Sequence, residues 1–493
     1  NAQSKGVAIA FDSRHMSPEF AKETALCMAA NGIKAYIFPS LRPTPMLSFA
    51  LRELGCTAGV VVTASHNPPQ YNGYKVYWED GAQITAPKDK QIITEVQAIT
   101  DFAQVKTMSE EDAKAAGLYE VIGEEIDDKY MEALKKLVLR PEAIKEQADK
   151  LKIVYTPLHG TGNIPVRRVL KELGFNNVYV VKEQELPDGD FPTVSYPNPE
   201  DKNAFTLALK LAAEVDADIV LATDPDADRL GIYAKNEKTG EYESFTGNMS
   251  GMLILEYLLS QRKELGMLPE NGAVVTTIVS GKMARAIAKE YNVELIETLT
   301  GFKYIGEQIK FFEQNHDHEF LFGYEESYGC LEGTHARDKD AVVAVMALCE
   351  AAAYYKSKGI TLCEQMQNLY QKYGFYKESL FFQTFQGMEG KAKIDGLMDA
   401  LRNEPPKQVG PFKVTALEDY KKSVCTDIAT GETSALTLPE SNVLYFELED
   451  GAWFCVRPSG TEPKIKYYAG VKGADAQDAT DKLEALSKAV VEL

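Results

Sequence analysis

Three times along the chain a short apolar run is followed by a helical stretch and then by a second apolar run. Residues 6–11 read as a strand, 18–30 as a helix and 33–38 as a strand. The rhythm returns at 152–155, 164–173 and 177–181, and again at 273–278, 282–291 and 293–297. Strands that alternate with helices are joined by crossovers, and crossovers build parallel sheets with helices on their faces. Pro18 suits the first position of its helix, Ser17 stands where a cap belongs, and Gly32 stands where the helix should stop. The end of the chain differs. Runs at 444–448 and 453–456 flank the turn Glu449-Asp450-Gly451, a hairpin signal. A third run at 464–469 and a closing helix over residues 474–491 complete an α+β unit. The chain of 493 residues is too long for one core, since domains run to about 100–150 residues. The expected architecture is three tandem mixed or parallel α/β domains (1–140, 141–265, 266–380) and a C-terminal α+β domain (381–493), with no residue-level repeat relating the first three.

A formal charge of −20 at pH 7 argues against nucleic acid or an anionic membrane surface as partner, because either calls for a basic field. It leaves room for a small anionic substrate held by local arginines and lysines. No apolar stretch approaches the roughly 18 residues of a membrane span, and no secretory leader is visible. The seven cysteines are scattered without a CxxC pair, which reads as reduced thiols in a cytoplasm. The chain opens at Asn1, a few residues before a strand, as a domain without its beginning would.

Four stretches carry chemistry. The first is Thr63-Ala64-Ser65-His66-Asn67-Pro68-Pro69, which follows the apolar Gly59-Val60-Val61-Val62 and leads to Lys75. It is either an ordinary surface loop or a stiff loop presenting Ser65 as a nucleophile at a strand end. The second is Asp224-Pro225-Asp226-Ala227-Asp228-Arg229, after the strand-like 217–222. Carboxylates at i, i+2 and i+4 can point one way, and three of them converging call for a hard divalent ion such as Mg²⁺. An EF-hand fails, because its glycine and glutamate positions hold Arg229 and Lys235. Arg229 beside a metal suits a phosphoryl group. The third is Gly323-Tyr324-Glu325-Glu326-Ser327-Tyr328-Gly329, whose carboxylates and hydroxyl suit sugar hydroxyls; His335, Arg337 and Lys339 add cations nearby. The fourth, Arg457-Pro458-Ser459-Gly460-Thr461, reads equally as a phosphate nest or a structural turn; it lacks Walker A spacing.

Together and in this order the four stretches resemble the α-D-phosphohexomutase family, in which each of four domains gives one loop to a central cleft. The third stretch looks like that of the phosphoglucomutase branch, particularly its longer bacterial members. The resemblance implies that Ser65 is the phosphorylated serine, and that Asp224, Asp226 and Asp228 bind Mg²⁺ together with an oxygen of Ser65. It implies that Lys75, with His66 beside the serine, serves proton transfer. Arg229, Thr300 (in Thr300-Gly301-Phe302-Lys303), Glu325, Ser327, His335 and Lys339 would meet substrate. Arg457, Ser459, Gly460 and Thr461 would hold the phosphate that is not reacting. The implied reaction interconverts glucose 1-phosphate and glucose 6-phosphate through a hexose 1,6-bisphosphate, with glucose 1,6-bisphosphate as activator. Mannose or pentose phosphates, a serine phosphatase and a non-catalytic sugar-phosphate binder are the rivals. Two departures stand out. The family's N-terminal Gly-Leu-Arg-Gly-like segment has no counterpart here, and its Lys-Asp-Gly reads Lys339-Asp340-Ala341. Arg14, in Asp12-Ser13-Arg14-His15 after the first strand, is a further candidate to face the cleft; His316 and His318 read as a solvated turn. Oligomeric state, monomer or dimer, is not legible.

Overall fold

A computed structural model describes residues 2–385, 389–459 and 464–493 of the chain. They form two compact units: Asn1–Thr276 with Ala288–Glu297 and Gly301–Met366, and Thr277–Ile287 with Thr298–Thr300 and Gln367–Leu493.

The first sheet centres on Val7–Phe11, a strand whose every residue is buried. Burial on both faces is what a continuous apolar run predicts for a strand flanked by parallel neighbours. Its neighbours are Ala58–Val62 and Ala35–Ile37, both parallel to it, with Tyr119–Val121 beyond the latter. Ala58–Val62 then turns back into the antiparallel edge strand Tyr74–Trp78. The second sheet repeats the plan. Ile153–Thr156 lies parallel to Val178–Val180 and Ile219–Thr223, and Ile219–Thr223 turns back into Leu230–Lys235 and on to Tyr242–Phe245. In the third, Gly272–Thr277 lies between Glu294–Thr298 and Glu319–Tyr324, and Glu319–Tyr324 turns back into Cys330–Glu332. The sequence-predicted strands and crossover helices of all three units are present within a residue or two, the helices as Ser17–Ala30, Asn163–Glu172 and Met283–Glu290.

One detail of the first unit departs from expectation. Ser17 does not cap its helix: it is the first helical residue, behind Met16 in a left-handed turn at φ 65°. Its hydroxyl donates instead to Asp12 Oδ1 at 2.8 Å, which ties the helix start to the end of the first strand.

The smaller unit is built on an antiparallel sheet running Phe375–Thr384, Lys464–Gly473, Trp453–Pro458, Leu444–Leu448, Phe412–Asp419, Val424–Asp427 and Thr433–Ala435. Helices Glu389–Asn403 and Ala476–Val491 belong to the same unit. Their Ile394, Met398, Leu486 and Val490 join Phe446, Phe454 and Ile465 in its core. The alternation along Phe412–Asp419 is that of a sheet with one covered face. No helix among the described residues is long and apolar enough to cross a membrane.

Candidate active site

In each of the three mixed sheets a parallel strand ends, the chain loops, and it returns as an antiparallel strand, at the sheet edge in the first and third. The last paired residues before the loops are Val62 with Tyr74, Thr223 with Leu230, and Tyr324 with Cys330. The serine, aspartate and glutamate-serine stretches occupy these three loops, so topology puts them at the carboxyl ends of parallel strands, where open α/β sheets bind ligands.

Ser65 sits at φ 51°, a left-handed conformation that costs a non-glycine residue roughly 1–2 kcal/mol. Its surroundings hold it there. Thr63 Oγ1 accepts from Ser65 N at 2.8 Å and donates to Asp12 Oδ2 at 2.7 Å. Ser65 Oγ donates to Asp224 Oδ2 at 2.9 Å and lies 3.0 Å from His66 Nδ1. A hydroxyl has one proton to give. With it pointed at Asp224, the imidazole that satisfies both bonds carries its own proton on Nδ1. Burial, reinforced by Arg229, pushes the His66 pKa well below its usual value, and the Tyr196 ring stands edge-on to the imidazole at 5.6 Å. The loop is therefore ordered by specific bonds, unlike a plain surface turn.

Asp224, Asp226 and Asp228 are all buried, and one oxygen from each lies within 4.8 Å of the others. Ala227 at φ 50° makes the bend that lets them converge. Asp224 Oδ1 accepts the backbone N–H of Asp228 at 3.1 Å and of Arg229 at 3.0 Å. Asp226 Oδ2 accepts from Thr44 Oγ1 and from Lys75 Nζ, each at 2.7 Å. Asp228 Oδ2 faces Lys75 Nζ at 3.2 Å and Lys339 Nζ at 3.3 Å. Asp226 Oδ1 and Asp228 Oδ1 are buried with no hydrogen-bond partner among the described residues. A buried carboxylate oxygen without a donor is costly, and a hard divalent cation with oxygen ligands is the partner that suits two such atoms beside a third carboxylate. The acidic trio can bind a metal. Burial and the two neighbouring carboxylates push the Asp224 pKa well above its usual range. For Asp228 burial acts the same way but is outweighed by Lys339, Lys75 and Arg229, and its pKa is depressed.

Arg229 donates through a terminal nitrogen to Glu200 in a short bond, and its Nε, 3.9 Å from Asp228 Oδ1, is buried without a hydrogen bond among the described residues. Glu325 is buried and accepts Gly301 N at 2.8 Å, while Ser327 is half-buried at the turn. Leu230 N donates to Tyr328 O at 2.9 Å and Ala341 N to Ala227 O at 3.1 Å, stitching the third loop and the start of helix Ala341–Ser357 to the aspartate loop. Lys339 lies along Gly329, where a Cβ would fall 2.0 Å from its Cδ. His335 is turned onto Asp340, Nε2 to Oδ2 at 2.7 Å, and Tyr130 donates to the same carboxylate. That carboxylate also caps the following helix.

Arg14 does not open onto a cleft as anticipated. Its side chain is 0% exposed and ion-paired to Asp12 at 3.3 Å, because the guanidinium finds its acceptors in the carbonyls of the serine loop itself. Thr44, Glu200 and Asp12 are site neighbours that sequence reasoning missed; Pro43-Thr44-Pro45, an unusual way to start a helix, and Asp12 just past a strand were the available hints. In the smaller unit Arg457 donates to Thr300 Oγ1 in a short bond, and Ser459 N donates to Lys464 O at 2.7 Å. Gly460 and Thr461 lie outside the described residues.

The sequence matches the phosphoglucomutase/phosphomannomutase alpha/beta/alpha domains I, II and III over residues 1–102, 128–239 and 246–373, and the C-terminal domain over 402–486. It is 40% identical over 467 residues to a phosphoglucomutase of Staphylococcus epidermidis, covering 94% of this chain and 83% of that one. The chain belongs to the phosphoglucomutase/phosphomannomutase family. A Staphylococcus aureus phosphoglucomutase is 37% identical over 489 residues, 99% of this chain and 86% of its own length. Among solved structures, parafusin from Paramecium superposes with a TM-score of 0.68 at 18% identity, over 99% of this chain and 86% of that one. A family protein from Burkholderia thailandensis gives 0.67 at 18%, over 99% and 89%. Both share the fold.

Proposed function

We propose that the chain is a phosphohexomutase that interconverts glucose 1-phosphate and glucose 6-phosphate through a phosphoserine at Ser65 and a hexose 1,6-bisphosphate. The observation that carries this reading is Ser65 Oγ held 2.9 Å from Asp224 Oδ2, beside two buried carboxylate oxygens left without donors. Asp224, Asp226, Asp228 and an oxygen of phosphorylated Ser65 would hold Mg²⁺, which when bound supplies charge neutralisation for the transferring phosphoryl group.

The remaining work falls to the chain's own residues. In the forward half-reaction the Ser65 Oγ–P bond breaks as O6 of glucose 1-phosphate bonds to phosphorus. The proton leaving O6 ends on Ser65 Oγ, which donates to Asp224 Oδ2 at 2.9 Å while accepting from His66 Nδ1 at 3.0 Å. The bisphosphate then presents its other phosphate: the O1–P bond breaks as Ser65 Oγ bonds to phosphorus, the Ser65 proton passes to O1, and glucose 6-phosphate leaves. Lys75, flanked by Asp226 and Asp228, supplies a fixed positive charge and a proton donor beside the reacting oxygens. Arg229, oriented by Glu200, and Lys339 spread further positive charge where the phosphoryl group passes, and such positioning and electrostatics account for most catalysis of phosphoryl transfer. Glu325 and Ser327 read sugar hydroxyls, with Thr300 and His335 as supporting contacts. Arg457, Ser459, Gly460 and Thr461 hold the non-reacting phosphate. Glucose 1,6-bisphosphate serves as activator because it phosphorylates Ser65.

The test is a coupled assay on glucose 1-phosphate and, side by side, mannose 1-phosphate, with and without Mg²⁺ and glucose 1,6-bisphosphate. The expected result is turnover of the glucose ester that needs both additions, and loss of phosphoryl exchange in Ser65→Ala with the fold intact. Normal exchange of labelled phosphate by that variant, or release of inorganic phosphate as the main product, would overturn it.

A further inference from the structure

The Ser65 loop has little internal structure to hold it. Within residues 63–73 the backbone closes Thr63 N to Gly73 O, Asn67 N to Ala64 O and Tyr71 N to Pro68 O, and Pro68 and Pro69 have no N–H to give. Four of the loop's carbonyls, Pro68 O among them, turn to one side chain. Arg14 Nη1 donates to Pro68 O and to Tyr71 O, each at 2.9 Å. Nη2 donates to Ser65 O at 2.5 Å and, in a still shorter bond, to Asn67 O. The fifth donor, Nε, lies 3.3 Å from Asp12 Oδ2 in an ion pair but makes no hydrogen bond among the described residues. A guanidinium has five N–H groups in one rigid plane, and here one plane gathers four carbonyls of a single loop.

Arg14 is fixed from both sides. Asp12 is buried and accepts from Arg14 N at 3.0 Å, Thr63 Oγ1 and Ser17 Oγ. On the opposite side the Phe191 ring lies 5.1 Å from the guanidinium carbon. Phe191 belongs to the loop that also carries Tyr196, edge-on to His66, and Glu200, bonded to Arg229. The two backbones approach closely there: a Cβ on Gly189 would fall 2.8 Å from His15 N. Ser65 is thus gripped at two ends, its carbonyl by Arg14 and its Oγ by Asp224. Neither grip alone sets the direction of the bond between Cα and Cβ.

We propose that Arg14 is a positioning residue for the reacting serine: it holds Ser65 in the left-handed conformation that aims Oγ at the aspartate loop, and Phe191 keeps that aim in register with the loop over residues 186–201 that carries Tyr196 and Glu200. This rests on the reading of Ser65 as the phosphorylated residue. Arg14 itself touches no reacting atom.

Two variants test it. Arg14→Lys keeps the charge that Asp12 requires but loses the fork. The double variant Asp12→Asn/Arg14→Gln removes fork and charge together, so that no uncompensated carboxylate stays buried. Steady-state kinetics on glucose 1-phosphate would be read alongside hydrogen exchange of the peptides spanning 63–73 and 220–232, with Ser65→Ala as the control. A misaim of about 1 Å can cost on the order of 10²-fold in rate, so kcat should fall by about that factor while KM changes little. Exchange in 63–73 should quicken by about tenfold or more, with 220–232 protected as in the wild type. Wild-type kcat and exchange in either variant would overturn the proposal. So would uniform loosening of both peptides, or failure of both variants to fold, since each would make Arg14 a general support of the fold. If Ser65→Ala still exchanges phosphate, the reading of Ser65 is what fails, whatever the Arg14 variants do.

Discussion

Gly160 offers a way to move the aspartate loop without touching a carboxylate. It follows two left-handed residues, Leu158 and His159 at φ 46° and 61°, and its own φ lies in the range that alanine adopts without strain. A Cβ at this position would lie 2.4 Å from Pro225 Cα, 2.7 Å from Pro225 O and 2.9 Å from Pro225 C. These are backbone atoms between Asp224 and Asp226, and Thr161 N already holds Pro225 O at 2.8 Å. Ordinary contact begins at 3.4 Å, so Gly160→Ala must push the loop outward by about 1 Å. Overpacking of this kind costs typically 1–3 kcal/mol. The larger effect is on the site, where a 1 Å shift is big against a 2.9 Å bond between Ser65 and Asp224. We expect kcat to fall on the order of 10²-fold and the Mg²⁺ concentration at half-maximal thermal stabilisation to rise at least tenfold. The assay pairs coupled kinetics with thermal melts over a Mg²⁺ series. Wild-type Mg²⁺ dependence together with wild-type kcat would show that the loop does not lean on Gly160, and the argument would fall.

Two further outcomes follow from buried charge. Lys75→Met takes away the ammonium shared by Asp226 and Asp228, and breaking a buried pair costs about 3–5 kcal/mol; denaturant melts should show that loss without metal and a larger stabilisation by Mg²⁺ than in the wild type, and equal stabilisation of the two proteins would refute it. Glu332 faces Arg262 at 3.7 Å, but burial, with Glu350 nearby, lifts its pKa from 4.5 to about 8. The folded chain then keeps a proton that the unfolded chain releases, so stability is full below pH 4.5 and is lost as pH rises toward 8. The loss is on the order of 5 kcal/mol. Glu332→Gln should flatten that slope in urea melts between pH 5.5 and 8, and parallel curves for variant and wild type would show the carboxyl to be ionised in the fold.

Much of the fold was legible because buried parallel strands and their crossover helices leave strong local patterns. The apolar runs at 6–11 and 217–222 have few alternatives in a long globular chain, and the strands Val7–Phe11 and Ile219–Thr223 lie within a residue of them. The edge strand Tyr74–Trp78 was not legible: only Tyr77 is buried, and its exposed and half-buried neighbours carry no alternation that separates it from a loop. Ser17 was misassigned because a serine before a proline satisfies local capping rules, whereas its actual partner, Asp12, is supplied by the neighbouring strand. Arg14 is a similar case. Local sequence puts an arginine after a strand, but the four carbonyls that claim it come from a loop more than fifty residues away, and no one-dimensional pattern records where carbonyls converge. The aspartate trio was the opposite, since spacing alone implied convergence and the fold supplied the bend at Ala227.

The serine, aspartate and glutamate loops share no residue pattern, which is why no internal repeat is visible in the sequence. They share a position. Each links a parallel strand to the antiparallel strand that follows it. What repeats is therefore the place where a sheet ends its buried run and frees the chain to turn, and that place constrains backbone direction while leaving side chains open. On the proposed function, a nucleophile, a set of cation ligands and a sugar-reading carboxylate are each placed there without disturbing the strands behind. The cost falls on the loops, which must be held by something other than sheet hydrogen bonds. Arg14 does this for the first. The backbone bonds from Asp228 and Arg229 to Asp224 Oδ1 do it for the second, and Leu230 N on Tyr328 O does it for the third. The supports of the second and third loops are main-chain donors, and that of the first is a side chain set back from the reacting oxygen, so the loss of a support should lower the rate before it lowers affinity.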